Sequence, residues 1–172
     1  MRLYCHLCGS PYDEGKQQPF ICSACGNKYY ANPSPTVDLA LFDEKGRVMI
    51  AKRGENPHKG KFDLPGGFLE LHESAEEGLR REAFEELELQ SEDFTAPIFV
   101  GSQPATYEYS KESRPILIFV FAAKLLMSRK ITPHDDVAAI RFVNLSELPD
   151  IDFSMPNYHP QIIKAAHKLL FS

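Results

Sequence analysis

The 172-residue chain contains no tryptophan, only four cysteines and no long uninterrupted hydrophobic segment. Its longest apolar run, Ile116 to Ala123, has the length of a buried strand and is too short to cross a bilayer. The first residues include no hydrophobic core of the kind found in signal peptides, so we expect a cytoplasmic protein without a membrane partner. The chain has no concentrated basic stripe, and its formal net charge of −5 argues against a nucleic-acid partner.

The acidic residues are unevenly distributed along the chain. Eight of the 24 aspartates and glutamates lie between Glu70 and Glu88. Ser74 followed by Glu77 is a capping box, which predicts a helix starting at Ala75. Residues spaced four apart would form its buried stripe: Leu79, Ala83 and Leu87.

Three glutamates of this helix are expected to lie beside the apolar stripe instead of opposite it: Glu82, Glu85 and Glu86. Two carboxylates about 6 Å apart repel by roughly 0.7 kcal/mol in water and by roughly 3 kcal/mol at an effective dielectric near 20. A half-buried trio would therefore need protons or cations to neutralise it. Oxygen ligands suit Mg²⁺ or Mn²⁺, whose usual partners are substrate phosphates, although a solvated acidic face is the simpler interpretation of a glutamate-rich helix.

The residues around the trio resemble the signature of the Nudix hydrolases. The match consists of Gly67, Glu73, Arg81-Glu82, Glu85-Glu86 and Leu89 at the family's spacing. The resemblance implies that Glu73, Arg81, Glu82, Glu85 and Glu86 are catalytic, and that Gly67, Glu82, Glu85 and Glu86 bind Mg²⁺ or Mn²⁺. It also implies hydrolysis of a phosphoanhydride, with Arg81 holding the carboxylates by ion pairing with Glu73.

One position departs from the signature, because Glu88 stands where the family usually has glycine. A glycine at this point would end the helix in a left-handed turn. We therefore expect Glu88 to alter that turn without affecting the carboxylate ligands.

Residues 1–34 form the expected appendage, and they contain all four cysteines in two Cys-x-x-Cys-Gly pairs: Cys5, Cys8, Cys22 and Cys25. Two pairs at this separation are typical of a structural zinc site with four thiolates. Disulfides are the alternative, and they are less expected in a chain without a secretion signal. A unit this small usually needs a metal in place of a core. We predict a zinc ribbon here.

Residues 35–172 form the predicted Nudix hydrolase domain, after an extended proline-containing linker at 31–35. Alternating and apolar segments predict strands at 36–42, 47–53, 61–64, 98–102, 115–124 and 138–144, and a closing helix at 160–171. The predicted fold class is α/β. The Nudix resemblance implies an α/β/α sandwich around a mixed sheet, with the small N-terminal zinc ribbon appended.

The order of zinc ribbon, linker and Nudix domain resembles the C-terminal part of the NADH pyrophosphatases. Ser102-Gln103-Pro104 falls where that family has a specificity element, which implies a substrate contact by Gln103. An ADP-ribose or NADH-like dinucleotide is therefore the expected substrate, and the related enzymes suggest a homodimer. Tyr107 and Tyr109 are candidates to stack on a base, and Arg53 is a candidate to meet phosphate.

The same sequence features are compatible with other functions. The ribbon and the domain are also compatible with a non-catalytic nucleotide sensor or a nucleic-acid-binding protein, and a nucleoside triphosphate pyrophosphohydrolase is a third possibility. Many Nudix enzymes carry a late glutamate as general base, where this chain has Ala139. Three residues are candidates for that role: Glu86, Glu108 and Asp136.

Overall fold

A computed structural model describes residues 4–12, 18–109, 112–126 and 130–172, with the exception of the Tyr109 side chain. The chain divides into two compact units, Met1–Pro33 and Ser34–Ser172.

The first unit contains two short antiparallel strands, β1 (Phe20–Ile21) and β2 (Lys28–Tyr29). The ring of Tyr12 stacks on that of Tyr29 with centroids 5.9 Å apart, and Phe20 packs against both. Cys5 and Cys22 are buried beside these rings. The apolar contacts are few, as expected for a unit too small to build a large core.

The second unit contains a seven-stranded sheet, two α-helices and two short 3₁₀ helices. The strands are β3 (Ser34–Phe42), β4 (Val48–Arg53), β5 (Phe62–Asp63), β6 (Gly66–Phe68), β7 (Ile98–Tyr109), β8 (Glu112–Lys124) and β9 (Val137–Val143). The α-helices are α1 (Ala75–Leu87) and α2 (His159–Phe171), and the 3₁₀ helices are Ser91–Asp93 and Leu145–Asp150. None of the described helices is long and apolar enough to cross a membrane.

The sheet is mixed, as expected. Strand β3 runs parallel to β8 and antiparallel to β4 and β6, while β4 also pairs with β5 and β9. Strand β3 begins at Ser34, within the segment expected to be a linker, because Ser34 pairs with Ile116 and Pro35 with Leu117.

The two faces of the sheet are covered by different helices. Alternate side chains of β3 point to opposite faces. Val37, Leu39 and Leu41 pack in the cluster that contains the buried residues of α1. Ala40 and Phe42 pack in the cluster that contains the buried residues of α2. The expected α/β/α arrangement is therefore confirmed.

Helix α1 begins as predicted, at Ala75, with the reciprocal hydrogen bonds of Ser74 and Glu77 both formed. Its end differs from the expectation. Glu88 itself adopts the left-handed conformation, with φ of 53°, and its N–H donates to the carbonyl of Phe84 at 2.8 Å. The turn is therefore retained without glycine, because the buried Leu89 continues it by donating to the carbonyl of Ala83.

Strand β7 is much longer than the predicted segment 98–102. It continues to Tyr109 because β8 also begins earlier than expected, at Glu112, and the two strands form a long antiparallel hairpin. The outer part of this hairpin carries polar residues on both strands and lacks the apolar pattern on which the prediction depended.

Candidate active site

A cavity of about 150 Å³ opens beside the glycine-containing strand β6, which precedes α1 in the chain. Its polar lining includes Arg53, Glu86 and Asp136. Its apolar lining includes Phe68 and Tyr107, whose rings meet edge to face with centroids 5.3 Å apart. The signature helix and the sheet therefore both contribute to one concave surface.

Two glycines bring the backbone of β6 against the glutamates of α1. Gly66 has φ of +147°, and a Cβ there would lie 2.0 Å from the carbonyl oxygen of Val37. Its N–H donates to Oε2 of Glu86 at 2.9 Å. A Cβ on Gly67 would lie 2.3 Å from Oε1 of Glu82. Only glycine permits this approach of backbone to carboxylate.

Glu86 is the most buried of the three glutamates, with 5% of its surface exposed. Burial raises the pKa of Glu86 to about 9, and the neighbouring carboxylates of Asp136 and Glu82 act in the same direction. Burial also raises the pKa of Glu82, although its contact with Arg81 opposes this. Both groups are thus carboxylates whose ionised forms lack sufficient positive charge nearby.

Arg81 connects several of the signature residues. Its Nε and Nη2 donate to the two oxygens of Glu73 at 2.9 and 3.0 Å. Its Nη1 donates to Oε1 of Glu82 at 2.7 Å and to Oε2 of Glu85 at 2.9 Å, and Nη2 also reaches the carbonyl of Phe68. One guanidinium therefore anchors two glutamates of α1 to the loop.

The three glutamates are close, but they do not form a closed ligand set. In the part of the chain that the structure describes, Glu82, Glu85 and Glu86 do not all place an oxygen within 4.8 Å of one another. Glu82 and Glu85 both accept hydrogen bonds from Arg81, whereas Glu86 accepts one from the N–H of Gly66. The donor set still fits a hard divalent cation, because the buried carboxylate of Glu86 lines the cavity with Gly67, and the carboxylate of Glu82, whose pKa is also raised by burial, lies against Gly67.

The four cysteines form a second group with the geometry of a metal site. All four sulfur atoms lie within 4.8 Å of one another, and the Cys5–Cys25 and Cys8–Cys22 separations are both 3.6 Å. These distances exclude a disulfide, in which the sulfurs lie about 2.05 Å apart. They are near the roughly 3.8 Å edge of a tetrahedron with Zn–S bonds of about 2.3 Å. The cluster is compatible with zinc.

The substrate candidates lie in different places. Arg53 and Tyr107 line the cavity. Gln103 is exposed on β7, its amide donates to the carbonyl of Pro104, and it is not among the described residues that line the cavity. Tyr109 ends β7, and its side chain lies outside the described part of the structure.

The general-base candidates are also separated by the fold. Asp136 lines the cavity next to Glu86, and its carboxylate lies 4.0 Å from Nη2 of Arg53. Glu108 is exposed on β7 and is not among the described lining residues.

One group of buried polar residues, two of which line the cavity, was not predicted from the sequence. Asp38, Asp63 and His159 each place a ligand-type atom within 4.8 Å of the others. Asp38 was detectable as the only charged residue in the apolar segment 36–42. The proximity of His159 to the two aspartates could not be predicted from the sequence, because the three residues are far apart in the chain and only the fold brings them together.

The fold and the glutamate-bearing helix define a class of phosphoanhydride hydrolases. The family model described as NUDIX domain matches residues 32–165. An ADP-ribose pyrophosphatase from Methanocaldococcus jannaschii is 30% identical over 80% of this chain and 75% of its own length. An NAD-capped RNA hydrolase NudC from Edwardsiella ictaluri is 30% identical over 62% of this chain but only 40% of its own length.

Among solved structures, a NUDIX hydrolase from Nitrosomonas europaea has the same fold. It superposes with a TM-score of 0.61 at 24% identity and covers 98% of this chain and 93% of its own. The chain belongs to the Nudix family and is a Nudix pyrophosphohydrolase.

Proposed function

We propose that the protein hydrolyses the diphosphate of ADP-ribose, or of an NADH-like dinucleotide, to two phosphorylated products. The observation that carries the proposal is the buried carboxylate of Glu86, which lines the cavity and whose pKa is raised by burial and by the neighbouring carboxylates of Asp136 and Glu82. The similarity to an ADP-ribose pyrophosphatase over most of both chains supports this substrate class. The NudC relatives support a dinucleotide, although the chain spans less than half of their length.

In the proposed site, Glu82, Glu85 and Glu86 would hold Mg²⁺ or Mn²⁺ together with the backbone of Gly67. The chemistry that such a cation would supply is neutralisation of charge on the diphosphate and a lower pKa for bound water. Arg81 keeps Glu82 and Glu85 in place through its bonds to Glu73, so its role is positioning.

Other side chains of the cavity are proposed to contact the substrate and the attacking water. Arg53 presents a guanidinium to the phosphates, and Tyr107 presents a ring face or edge to the base. Asp136 and Glu86, which both line the cavity, remain the candidates for accepting the proton of the attacking water, whereas Glu108 is not among the described lining residues. Water adds to one phosphorus, the bridging P–O bond breaks, and each product leaves with one phosphate.

The test is a substrate panel with products identified by mass. It contains ADP-ribose, NADH, NAD⁺, an NAD-capped oligoribonucleotide, dinucleoside polyphosphates and nucleoside triphosphates. We expect AMP from ADP-ribose in the presence of Mg²⁺ or Mn²⁺, and its loss in Glu85→Gln and Glu86→Gln. Glu76→Gln, an exposed glutamate of the same helix, is the matched control.

Two outcomes would refute the proposal. Binding of ADP-ribose without release of AMP indicates a sensor, and release of pyrophosphate from nucleoside triphosphates alone indicates a triphosphate hydrolase. Wild-type turnover in both glutamine variants would show that the activity does not depend on Glu85 and Glu86 of α1.

Residues 1–34 are proposed to be a zinc ribbon and 35–172 the catalytic domain. A closed set of four thiolates leaves no open position for substrate, so the zinc would be structural. The free thiols also suit a reducing compartment such as the cytoplasm. A homodimer is proposed from the related enzymes, and light scattering in solution tests it.

A further inference from the structure

The carboxylate of Asp136 lies beside that of Glu86, although repulsion between the two groups should separate them. Both residues line the cavity. Burial is the main cause of the raised pKa of Glu86, and the charge of Asp136 is the next largest. Two neighbouring carboxylates repel each other unless a proton or a cation lies between them. Other contacts of the fold must therefore keep Asp136 at this position.

Asp136 belongs to a tight turn that precedes β9. The N–H of Val137 donates to the carbonyl of His134 at 3.1 Å, which closes the turn. Asp135, at its centre, has φ of 52°, in the left-handed region that is uncommon for residues with a Cβ. The side chain of Asp135 is exposed, so buried side-chain contacts do not account for this conformation. We attribute the conformation to the backbone hydrogen bonds of the turn.

Backbone hydrogen bonds attach the turn at two places. The N–H of His134 donates at 2.8 Å to the carbonyl of Glu86, one of the carbonyls that the end of α1 leaves without a helical partner. The carbonyl of Asp136 accepts from the N–H of Gly54 at 2.6 Å, and Gly54 directly follows the last residue of β4. The turn is therefore bonded both to the helix that carries Glu86 and to the end of β4.

Gly54 approaches the turn so closely that a side chain would not fit between them. A Cβ on Gly54 would lie 2.7 Å from the carbonyl oxygen of Asp136 and 3.4 Å from its carbonyl carbon. Both atoms belong to the backbone, so the turn itself would have to move. Beside Gly54, Nη2 of Arg53 lies 4.0 Å from Oδ2 of Asp136. Residues 53 and 54 thus contact both the side chain and the backbone of Asp136.

Stability alone does not explain why a carboxylate occupies this turn. An uncharged residue in place of Asp136 could make the same backbone hydrogen bonds without repelling Glu86. An ionisable group that is held in a cavity against such repulsion is typical of a functional site. The contacts that hold the turn are therefore expected to affect activity as well as folding.

We propose that Gly54 is a positioning residue, whose N–H and missing side chain hold the carboxylate of Asp136 beside Glu86 for the hydrolysis. This inference rests on the proposed function, in which Asp136 is a candidate for accepting the proton of the attacking water. Gly54 is not among the described residues that line the cavity, so it acts through Asp136 and not on the substrate.

The experiment uses the compound that the wild type hydrolyses in the substrate panel. We expect Gly54→Ala to lower kcat by about tenfold or more with little change in KM, because a displaced proton acceptor affects the transition state and not substrate binding. Gly101→Ala is the matched control and should retain kcat, since a Cβ on Gly101 would meet nothing within 4 Å. In the background of Asp136→Asn, Gly54→Ala should lower kcat by no more than about a further twofold.

A second pair of variants tests the same turn without changing Gly54. Asp135→Val places a β-branched residue at φ of 52°, which is strongly disfavoured, whereas Asp135→Gly removes the same charge and permits this conformation. We expect the valine variant to lose kcat and the glycine variant to keep it. Because Asp135 is exposed, this pair tests the placement of Asp136 even if Gly54→Ala fails to fold.

Three results would overturn the inference and leave the hydrolysis in place. They are wild-type kcat in Gly54→Ala, an equal loss from Gly54→Ala with Asp136 present or replaced, and wild-type kcat in Asp136→Asn. Equal kcat in the two Asp135 variants would also overturn it. Thermal unfolding shows whether each variant is folded at the assay temperature. If the wild type hydrolyses none of the compounds, the proposed function fails and the inference fails with it.

Discussion

Gly67 contacts the carboxylate of Glu82 so closely that a methyl group on Gly67 would lie 2.3 Å from Oε1. The neighbouring Gly66 meets a different obstacle, because its added methyl would lie 2.0 Å from the backbone carbonyl of Val37. A carboxylate at the end of a flexible side chain can move aside, and a strand backbone cannot. The two adjacent glycines therefore serve different purposes.

Substitution of these glycines by alanine should separate metal binding from folding. We expect Gly67→Ala to displace Glu82 and to weaken Mn²⁺ binding by about tenfold or more, with a melting temperature close to that of the wild type. Gly66→Ala should instead destabilise the domain by more than about 1 kcal/mol, because its φ of +147° is also unfavourable for alanine. Titration calorimetry with Mn²⁺ and thermal unfolding measure the two effects. Unchanged Mn²⁺ affinity in Gly67→Ala would show that Glu82 is not a ligand.

We expect the activity to depend on the planar guanidinium group of Arg81, which donates to several carboxylates at once. Lysine keeps the charge but cannot bond both oxygens of Glu73 while also holding Glu82 and Glu85. We expect Arg81→Lys to lower kcat/KM by about 10- to 100-fold, the range typical for residues that orient metal ligands. Arg80→Lys is the matched control, since Arg80 is exposed on the same helix and its Nη1 reaches only the carbonyl of Glu76 in the described contacts. Equal activity of the two variants would contradict a positioning role.

The features that sequence predicted well are local. The start of α1 depends on Ser74 and Glu77, and its buried stripe depends on a spacing of four, so neighbouring residues contain the information. The glutamates of the signature are equally local, which is why the resemblance located them by number. The proximity of the four cysteines also follows from spacing, because each pair lies in one short loop.

The features that sequence failed to predict depend on contacts between distant segments. The length of β7 is set by its pairing with β8, and the fold brings Asp38 close to Asp63 and His159 from other elements. The role of Gln103 stays a prediction. Its side chain is exposed and it is not among the described lining residues, although its partner across the hairpin, Ile118, lines the cavity.

Glu88 offers a simple stability test. In the left-handed conformation, a residue with a Cβ is about 1–2 kcal/mol less favourable than glycine. Substitution by glycine recovers only part of this free energy, because glycine also increases the conformational entropy of the unfolded chain. We expect Glu88→Gly to raise stability by about 0.5–1 kcal/mol, less any contribution from the Glu88–His134 contact at 3.3 Å. Glu76→Gly, within the first turn of α1, should destabilise by about 1 kcal/mol. Denaturant unfolding measures both, and a loss of stability in Glu88→Gly would show that the side-chain contacts outweigh the backbone conformation.

The zinc proposal predicts one equivalent of zinc per chain by elemental analysis. Because the first unit has a small apolar core, we expect chelation or Cys8→Ser to abolish its structure, while the second unit keeps its own unfolding transition. His6→Ala is the control, since His6 is exposed in the same loop and is not part of the cysteine group. Full zinc content in Cys8→Ser would refute the four-thiolate site.

The pKa of Glu86 links metal binding to pH. In the metal-free protein this pKa is raised to about 9 by burial and by Asp136 and Glu82, whereas in the unfolded chain it is near 4.3. Between these values the folded protein retains a proton that the unfolded chain releases. The contribution of Glu86 to stability is therefore fully present below about pH 4 and decreases as the pH rises towards 9.

A cation that binds the ionised carboxylate must displace this proton, so its apparent affinity should increase with pH. We expect the stabilisation by a fixed concentration of Mn²⁺ to increase from pH 6 to pH 8.5, with affinity rising by up to about tenfold per pH unit for one proton released. In Glu86→Gln the increase should be much smaller, with only the raised pKa of Glu82 remaining to produce it. Thermal unfolding with and without Mn²⁺ across this range measures the effect. A stabilisation that is independent of pH in the wild type would mean that Glu86 is already ionised, or that the cation binds elsewhere.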